Sequence, residues 1–66
     1  MQLTINGEAR QYDALTSLSN LIETLGLDPR KVAIERNLEI VPRSTYAATP
    51  LADGDRIEIV VAVGGG

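Results

Sequence analysis

The sequence predicts an α+β fold in which one helix covers one face of a mixed β-sheet of about five strands. Two observations predict it: short runs that alternate apolar and polar residues near both ends of the chain, and one segment between them with apolar residues at helical spacing. The length of 66 residues suits one domain. A domain of this size leaves no room for a deep ligand cleft beside its core.

The composition excludes several classes of function. The chain has no Cys and no His, so it lacks the usual zinc ligands, a thiol nucleophile and the commonest general base. We therefore expect neither a metal site nor an independent enzyme. The net charge of -3 and six scattered basic residues argue against nucleic acid as a partner. No signal peptide or bilayer-spanning run is recognisable, and without disulfides we expect no membrane association and a cytoplasmic location.

A β-hairpin is predicted at the beginning of the chain. Leu3 and Ile5 alternate with polar residues, which is typical of a half-buried strand. Asn6-Gly7 follows, and this dipeptide favours a tight hairpin turn because both central residues of a type I′ turn need positive φ. The second strand is expected at about residues 8–12.

The segment TSLSNLIETLGL, residues 16–27, predicts an amphipathic helix. Thr16 or Ser17 can cap its start, and Gly26 stands where a left-handed residue ends a helix. A helix that binds a partner has the same pattern, but a single apolar stripe is more often a core contact. The stripe comprises Leu18, Leu21, Ile22 and Leu25.

Two further strands are predicted in the second half. In VAIERN, residues 32–37, Val32 and Ile34 fall on one face and Ala33 falls on the other. A short strand, EIV at residues 39–41, follows and ends at a proline.

An irregular segment and a tight turn are expected next. Residues 43–52 show no helical or strand periodicity. Asp53-Gly54-Asp55 is read as a turn rather than a cation site, because the further ligands of a calcium loop are missing.

The last predicted strand, residues 56–63, carries the first sign of an interaction surface. Its odd-numbered residues are Ile or Val and line one face. Its other face begins charged and ends apolar, at Val60 and Ala62. If the helix covers only the first face, these two side chains and Ala33 form an uncovered apolar patch, which is a candidate docking site. A residual apolar pair on the surface is the alternative.

The order of these elements fits the β-grasp, in which the first and last strands lie side by side in the centre of the sheet. We assign residues 1–63 to the β-grasp domain and residues 64–66 to a flexible C-terminal glycine tail.

Several features of the segment from residue 32 onward occur together. They are Asn37, the run IVPR at residues 40–43, Tyr46, Asp53-Gly54-Asp55 and the final Gly65-Gly66. With these features the chain resembles the ThiS family, the ubiquitin-like β-grasp sulfur carriers of thiamine biosynthesis. The first half fits the same family, and Gly64 departs from it only by replacing another small residue.

The resemblance implies a function for the glycine end. The Gly66 carboxylate would be adenylated with ATP and Mg by a ubiquitin-activating-like adenylyltransferase of the ThiF type. A sulfur donor protein would then convert it to a thiocarboxylate, which supplies sulfur to a thiazole synthase of the ThiG type. Gly64 and Gly65 would enter the active sites of these partners, because glycine has no Cβ and adopts backbone angles closed to other residues. The carrier itself would be a protein co-substrate with no bound cofactor and no catalytic residue.

Other functions share this pattern. A carrier of another pathway, such as the small subunit of molybdopterin synthase, uses the same chemistry. A ubiquitin-like modifier would instead link Gly66 to a target lysine, and a passive β-grasp binding domain would not need its glycines, since chain ends are commonly frayed.

Overall fold

The structure, a computed structural model, describes residues 1–61. Within them it has five strands, one α-helix and two short 3-10 helices. The strands and the α-helix are β1 (Gln2–Ile5), β2 (Glu8–Gln11), α1 (Leu18–Thr24), β3 (Val32–Arg36), β4 (Glu39–Ile40) and β5 (Arg56–Val61), and the 3-10 helices are Pro29–Lys31 and Arg43–Ala48.

The strands form one mixed sheet in the order β2-β1-β5-β3-β4. β1 and β5 pair in parallel in its centre, and the other neighbours are antiparallel. This is the β-grasp arrangement of the ubiquitin-like fold, so the predicted α+β class and the central pairing of the first and last strands are confirmed.

One face of the sheet packs against α1 and the 3-10 helix Arg43–Ala48. The core is almost wholly aliphatic, and burying each of its large side chains contributes about 1.5–3 kcal/mol relative to exposure. The helical stripe predicted from the sequence supplies three of its members. The buried apolar residues are Leu3, Ile5, Leu15, Leu18, Leu21, Ile22, Val32, Ile34, Tyr46, Leu51, Ile57 and Ile59.

Both ends of α1 are closed as the sequence predicts. Ser17, rather than Thr16, is the N-cap, and its Oγ accepts a hydrogen bond from the Asn20 N–H at 3.2 Å. Gly26 has φ +71°, and its N–H donates to the Glu23 carbonyl at 3.0 Å. Together with a bond between the next N–H and the carbonyl five residues earlier, this completes a Schellman motif.

The segment after β4 differs from its prediction. Residues 43–52 were expected to be irregular, but Arg43–Ala48 is a 3-10 helix that buries Tyr46. The Tyr46 hydroxyl donates to the Val32 carbonyl at 3.1 Å, so the side chain is fixed by this hydrogen bond as well as by the burial of its ring. This long-range contact gives the segment a regular structure for which the local sequence shows no periodicity.

The predicted face of β5 is only partly covered by the core. Ile57 and Ile59 are buried, but Val61, which follows them on the same face, is 48% exposed. It lies opposite Val32, the first residue of β3, at the end of the sheet.

Candidate functional site

The face of the sheet opposite α1, called the open face below, carries a small apolar patch. Ala33 and Val60 are directly opposite each other in the β3–β5 pair, so their side chains lie side by side. Ile40 joins them from β4, where it lies opposite Glu35. Val60 is 66% exposed and Ile40 is 79% exposed. Together they line a shallow depression of about 120 Å³.

Ile40 was not among the sequence candidates, although Ala33 and Val60 were. The predicted strand EIV was too short to show which face each residue occupies. Alternation along β3 puts Glu35 on the same face as Ala33, so the pairing of Ile40 with Glu35 is the signal that could have found it.

Acidic side chains border the patch. Glu35 and Glu58 are directly opposite each other on the open face, and both line the depression. Like charges in this position destabilise a strand pair. Arg56 is the nearest compensating charge, with its Nε 3.9 Å from the Glu58 carboxylate. The open face therefore presents an apolar contact beside a negative one, which suits a partner with a basic group beside an apolar one.

The β3–β4 turn that positions Ile40 is held by Asn37. Asn37 and Leu38 both have positive φ, +51° and +71°, as a type I′ turn requires. The Asn37 side chain accepts from the Arg56 N–H at 2.9 Å and donates to the Asp55 carboxylate at 3.1 Å. The turn is thereby tied to the beginning of β5, and Leu38 at its tip is 74% exposed.

Asp55 is the centre of this network. It is buried, and its Oδ2 accepts from the Ala52 N–H and from the Arg36 Nε–H, both at 2.8 Å. Burial opposes ionisation of this carboxyl group, but the hydrogen bonds from Ala52, Asn37 and Arg36 outweigh it, so the pKa of Asp55 lies below its ordinary value. The predicted turn at residues 53–55 is present, with Gly54 at φ +87°, and its second aspartate also anchors β3.

Asn6 fixes the last part of β5. Its backbone N–H donates to the Ile57 carbonyl at 2.9 Å. Its side chain then binds both backbone groups of Ile59: Oδ1 accepts from the N–H at 2.7 Å, and Nδ2 donates to the carbonyl at 3.2 Å. The sequence identified Asn6 only as a turn residue. The structure shows that its carboxamide also continues the pairing of β1 with β5 by one step.

The predicted glycine tail lies outside the described residues. Gly64, Gly65 and Gly66, and with them Ala62 of the predicted patch and Val63 of the last strand, follow the last described residue, Val61. Their roles stay predictions.

Two further observations can be made for the described residues. Within residues 1–61, no three His, Cys, Asp or Glu side chains are grouped so that they could hold a metal ion. No helix in the same range has the length and apolar composition needed to cross a bilayer.

Comparisons with known proteins connect this structure to one family. The model of the ThiS family matches residues 3–66. The chain is 37% identical over 65 residues to the sulfur carrier protein ThiS of Bacillus subtilis, a match that covers 97% of this chain and 98% of that one. The crystal structure of the thiamine biosynthesis protein ThiS from Geobacter metallireducens is similar with a TM-score of 0.85 at 32% identity, and the match covers 100% of both chains.

A second kind of relative is longer. Over 66 residues the chain is 54% identical to a thiazole synthase from Paramagnetospirillum magneticum, a match that covers 100% of this chain. The chain spans 20% of the length of the thiazole synthases that it matches.

Proposed function

The chain belongs to the ThiS family, and on this premise we propose that it is a sulfur carrier of thiamine biosynthesis that carries sulfur on Gly66. The observation that carries the proposal is the match with a relative named sulfur carrier protein over nearly the full length of both chains. The absence of Cys from the sequence is compatible with it, because the sulfur is attached to a backbone carboxyl group rather than to a thiol.

The proposed chemistry begins with an unreactive group. A terminal α-carboxyl group has a pKa of about 3.3–3.7, so at neutral pH it is an anion that resists nucleophilic attack. One carboxylate oxygen attacks the α-phosphorus of ATP on an adenylyltransferase of the ThiF type, and pyrophosphate leaves. A sulfide equivalent from the sulfur donor protein then attacks the acyl carbon and displaces AMP, which leaves a thiocarboxylate. ATP and Mg are bound by the activating enzyme, and the carrier needs no cofactor of its own.

The glycine segment suits passage into two enzymes. Three extended glycines reach roughly 10 Å, which lets a reactive end enter a narrow channel while the folded domain stays outside. Gly64 and Gly65 serve as this spacer, and the second enzyme is a thiazole synthase of the ThiG type. The high identity to a segment of thiazole synthases supports a link between this domain and that activity.

The patch of Ala33, Ile40 and Val60 is the proposed docking surface for these enzymes, with Ala62 as a further member. Val60 lies one residue before the end of β5, so a partner bound there holds the start of the glycine segment close to its own surface. The patch supplies apolar contact area, while Glu35 and Glu58 favour a partner with a basic group beside its apolar contact.

A second candidate follows from the longer relatives: this sequence acts as the carrier domain of a larger thiazole synthase polypeptide. Gly66 would then need a free carboxyl group, generated by cleavage, before it could be adenylated. The intact mass of the protein from its native source separates the two candidates, because only a chain ending at Gly66 has the mass of the 66 residues.

The decisive experiment is reconstitution. The chain is incubated with ATP, Mg, a ThiF-type adenylyltransferase and a sulfur donor protein, and its intact mass is measured. We expect an increase equal to the replacement of one oxygen by sulfur. The control is the same chain without Gly65 and Gly66, which should not react. No mass change in the full sequence would contradict the proposal.

Genetics distinguishes the pathways. Expression should restore growth of a thiazole-requiring strain and not of a strain that lacks the small subunit of molybdopterin synthase. The opposite result would assign the carrier to the molybdenum cofactor. Lysine-linked conjugates on a denaturing gel would instead indicate a ubiquitin-like modifier.

A further inference from the structure

The backbone of β5 has two hydrogen-bonding edges, and successive residues alternate between them. Asn37 donates its N–H to the Arg56 carbonyl, so the backbone N–H and C=O groups of Arg56 point towards β3. Antiparallel pairs alternate between hydrogen-bonded and non-hydrogen-bonded positions, so the backbone N–H and C=O groups of Glu58 and Val60 also point towards β3. The odd-numbered residues of β5, including Val61, direct their N–H and C=O groups to the opposite edge, towards β1.

The backbone groups on the edge towards β1 have hydrogen-bond partners only as far as Ile59. The Asp55 and Ile57 carbonyls accept from the Thr4 and Asn6 N–H groups, at 3.0 and 2.9 Å. The Asn6 carboxamide binds both backbone groups of Ile59. At this point β1 ends, and the chain turns into β2 on the far side of β1.

Val61 is the next residue on this edge. Its N–H and C=O have no hydrogen-bond partner among residues 1–61, and its side chain is half exposed. A backbone donor and acceptor in strand geometry that lie unpaired at a sheet edge are a template for one more strand. β5 is thus a central strand along most of its length and an edge strand at its end.

We propose that an extended segment of the activating enzyme pairs with the Val61 edge of β5 and occupies the sheet position that β1 leaves empty beyond Asn6. This inference rests on the proposed function. Main-chain pairing at Val61 fixes the direction of the chain as it leaves the domain, and so aims the glycine segment at the adenylation centre. The patch around Val60 supplies side-chain contacts, and the edge supplies orientation.

An enzyme segment fits this edge better than a second copy of the chain. In a symmetric antiparallel pair joined at Val61, the end of each chain would have to run along the partner's β5 towards Ile59, where Asn6 and β1 already lie. One enzyme segment avoids this conflict and leaves the glycine segment free to enter an active site. Backbone pairing also makes few demands on side chains, which suits a carrier that must be received by two different enzymes.

Amide hydrogen exchange tests the pairing directly. In the free chain, the Val61 N–H should exchange rapidly, while the Ile59 N–H, bonded to Asn6, and the Val60 N–H, in the β3 pair, are protected. With a saturating amount of the ThiF-type adenylyltransferase, the Val61 N–H should become protected at least tenfold. Unchanged exchange at Val61 in the complex would overturn the proposal.

A pair of variants gives a second readout. Val61→Pro removes the N–H that faces the open edge and also fixes φ at this position, whereas Val61→Thr retains the N–H with the same branching at Cβ. We expect Val61→Pro to bind the adenylyltransferase about tenfold more weakly, the effect of losing about one hydrogen bond, and Val61→Thr to bind as the parent does. Equal affinities for the two variants would contradict the pairing, and the exchange measurement decides the matter if Val61→Pro does not fold.

The outcomes also separate this inference from the function on which it rests. If the parent chain acquires sulfur while its Val61 N–H stays unprotected in the complex, the pairing is wrong and the carrier function stands. If the parent chain is never adenylated, both fail. Protection of Val61 that appears in the free chain at high concentration, together with a doubled mass in light scattering, would assign the edge to a second copy and overturn the proposal.

Discussion

Arg36 and Asp55 form an ion pair in which the guanidinium Nε–H donates to the carboxylate at 2.8 Å. The Asp55 side chain is almost fully buried and the Arg36 side chain is 30% exposed. The pair joins the end of β3 to the residue that precedes β5, and the open face is assembled on these two strands. The stability of this junction is therefore a condition for the shape of the proposed docking surface.

Replacing Asp55 should be strongly destabilising. Asp55→Ala removes the buried carboxylate that accepts hydrogen bonds from Arg36, Asn37 and Ala52. Because these donors reach solvent and can be rehydrated, we expect a loss of about 1.5–3 kcal/mol in the free energy of unfolding. Urea denaturation measures it. Asp13→Ala is the matched control, because Asp13 is exposed, and it should change the stability by less than about 0.5 kcal/mol.

Acid should weaken the fold through the same residue. The pKa of Asp55 is lower in the folded chain than its ordinary value of about 3.9, so its ionised form stabilises the fold fully above that pH. This contribution is lost as the pH falls from about 4 through the folded-state pKa. Urea denaturation at neutral pH and at about pH 3 measures how far acid lowers the free energy of unfolding. This decrease should be smaller for Asp55→Asn than for the parent chain. Equal decreases would show that other carboxyl groups govern the acid response.

Tyr46 makes one specific polar contact that can be removed alone. Tyr46→Phe keeps the buried ring but deletes the hydroxyl that donates to the Val32 carbonyl, so we expect a loss of about 1–2 kcal/mol, observed as a lower midpoint of thermal unfolding. Tyr12→Phe is the comparison at a partly buried tyrosine, and its effect should be smaller. An unchanged midpoint for Tyr46→Phe would mean that the hydrogen bond of Tyr46 adds little.

Leu38 occupies a backbone conformation that favours glycine. At φ +71° its Cβ is strained, and the side chain is exposed, so Leu38→Gly should stabilise the fold by up to about 1 kcal/mol. Leu38→Ala retains the Cβ and should give no gain. Chemical denaturation of the two variants side by side tests this. If Leu38→Ala gained as much stability as Leu38→Gly, the gain would come from removing the exposed side chain and not from relieving backbone strain.

Glu35 should affect folding and binding in opposite directions. Glu35→Gln removes the repulsion with Glu58 across the strand pair, which should raise the stability by about 0.2–1 kcal/mol. The same change should slow association with the adenylyltransferase and reduce its dependence on salt, because a negative charge beside the docking patch is lost. Glu8→Gln, on the edge strand β2, is the control and should leave the association rate unchanged. Stopped-flow measurements at two ionic strengths provide the readout.

Local patterns were sufficient to predict the framework. Asn6-Gly7, the stripe from Leu18 to Leu25 and the alternation in β3 and β5 each specify an element within a few residues of sequence, and their order allowed the central β1–β5 pairing to be predicted. Such signals are strong because the period of an element and the chemistry of its turns are local properties.

The remaining features depend on contacts between distant parts of the chain. Asp53 and Asp55 are equivalent in a turn prediction. Asp55 becomes the buried anchor only because it contacts Arg36 of β3, which lies 19 residues earlier in the chain. Tyr46 has no periodic neighbours that would indicate a helix, and its role comes from Val32, 14 residues earlier. Ile40 and the open edge at Val61 emerge only when strand register is known.

Tyr46 also gives the molecule a built-in optical reporter. The sequence has no Trp or Phe and only two Tyr, so its near-ultraviolet spectrum comes from two phenol chromophores, of which Tyr46 is the buried one. Solvent reaching that ring blue-shifts its absorbance and removes its circular dichroism. Core opening can therefore be followed without a dye or label, and separately from any change at the glycine end, which contributes nothing at those wavelengths.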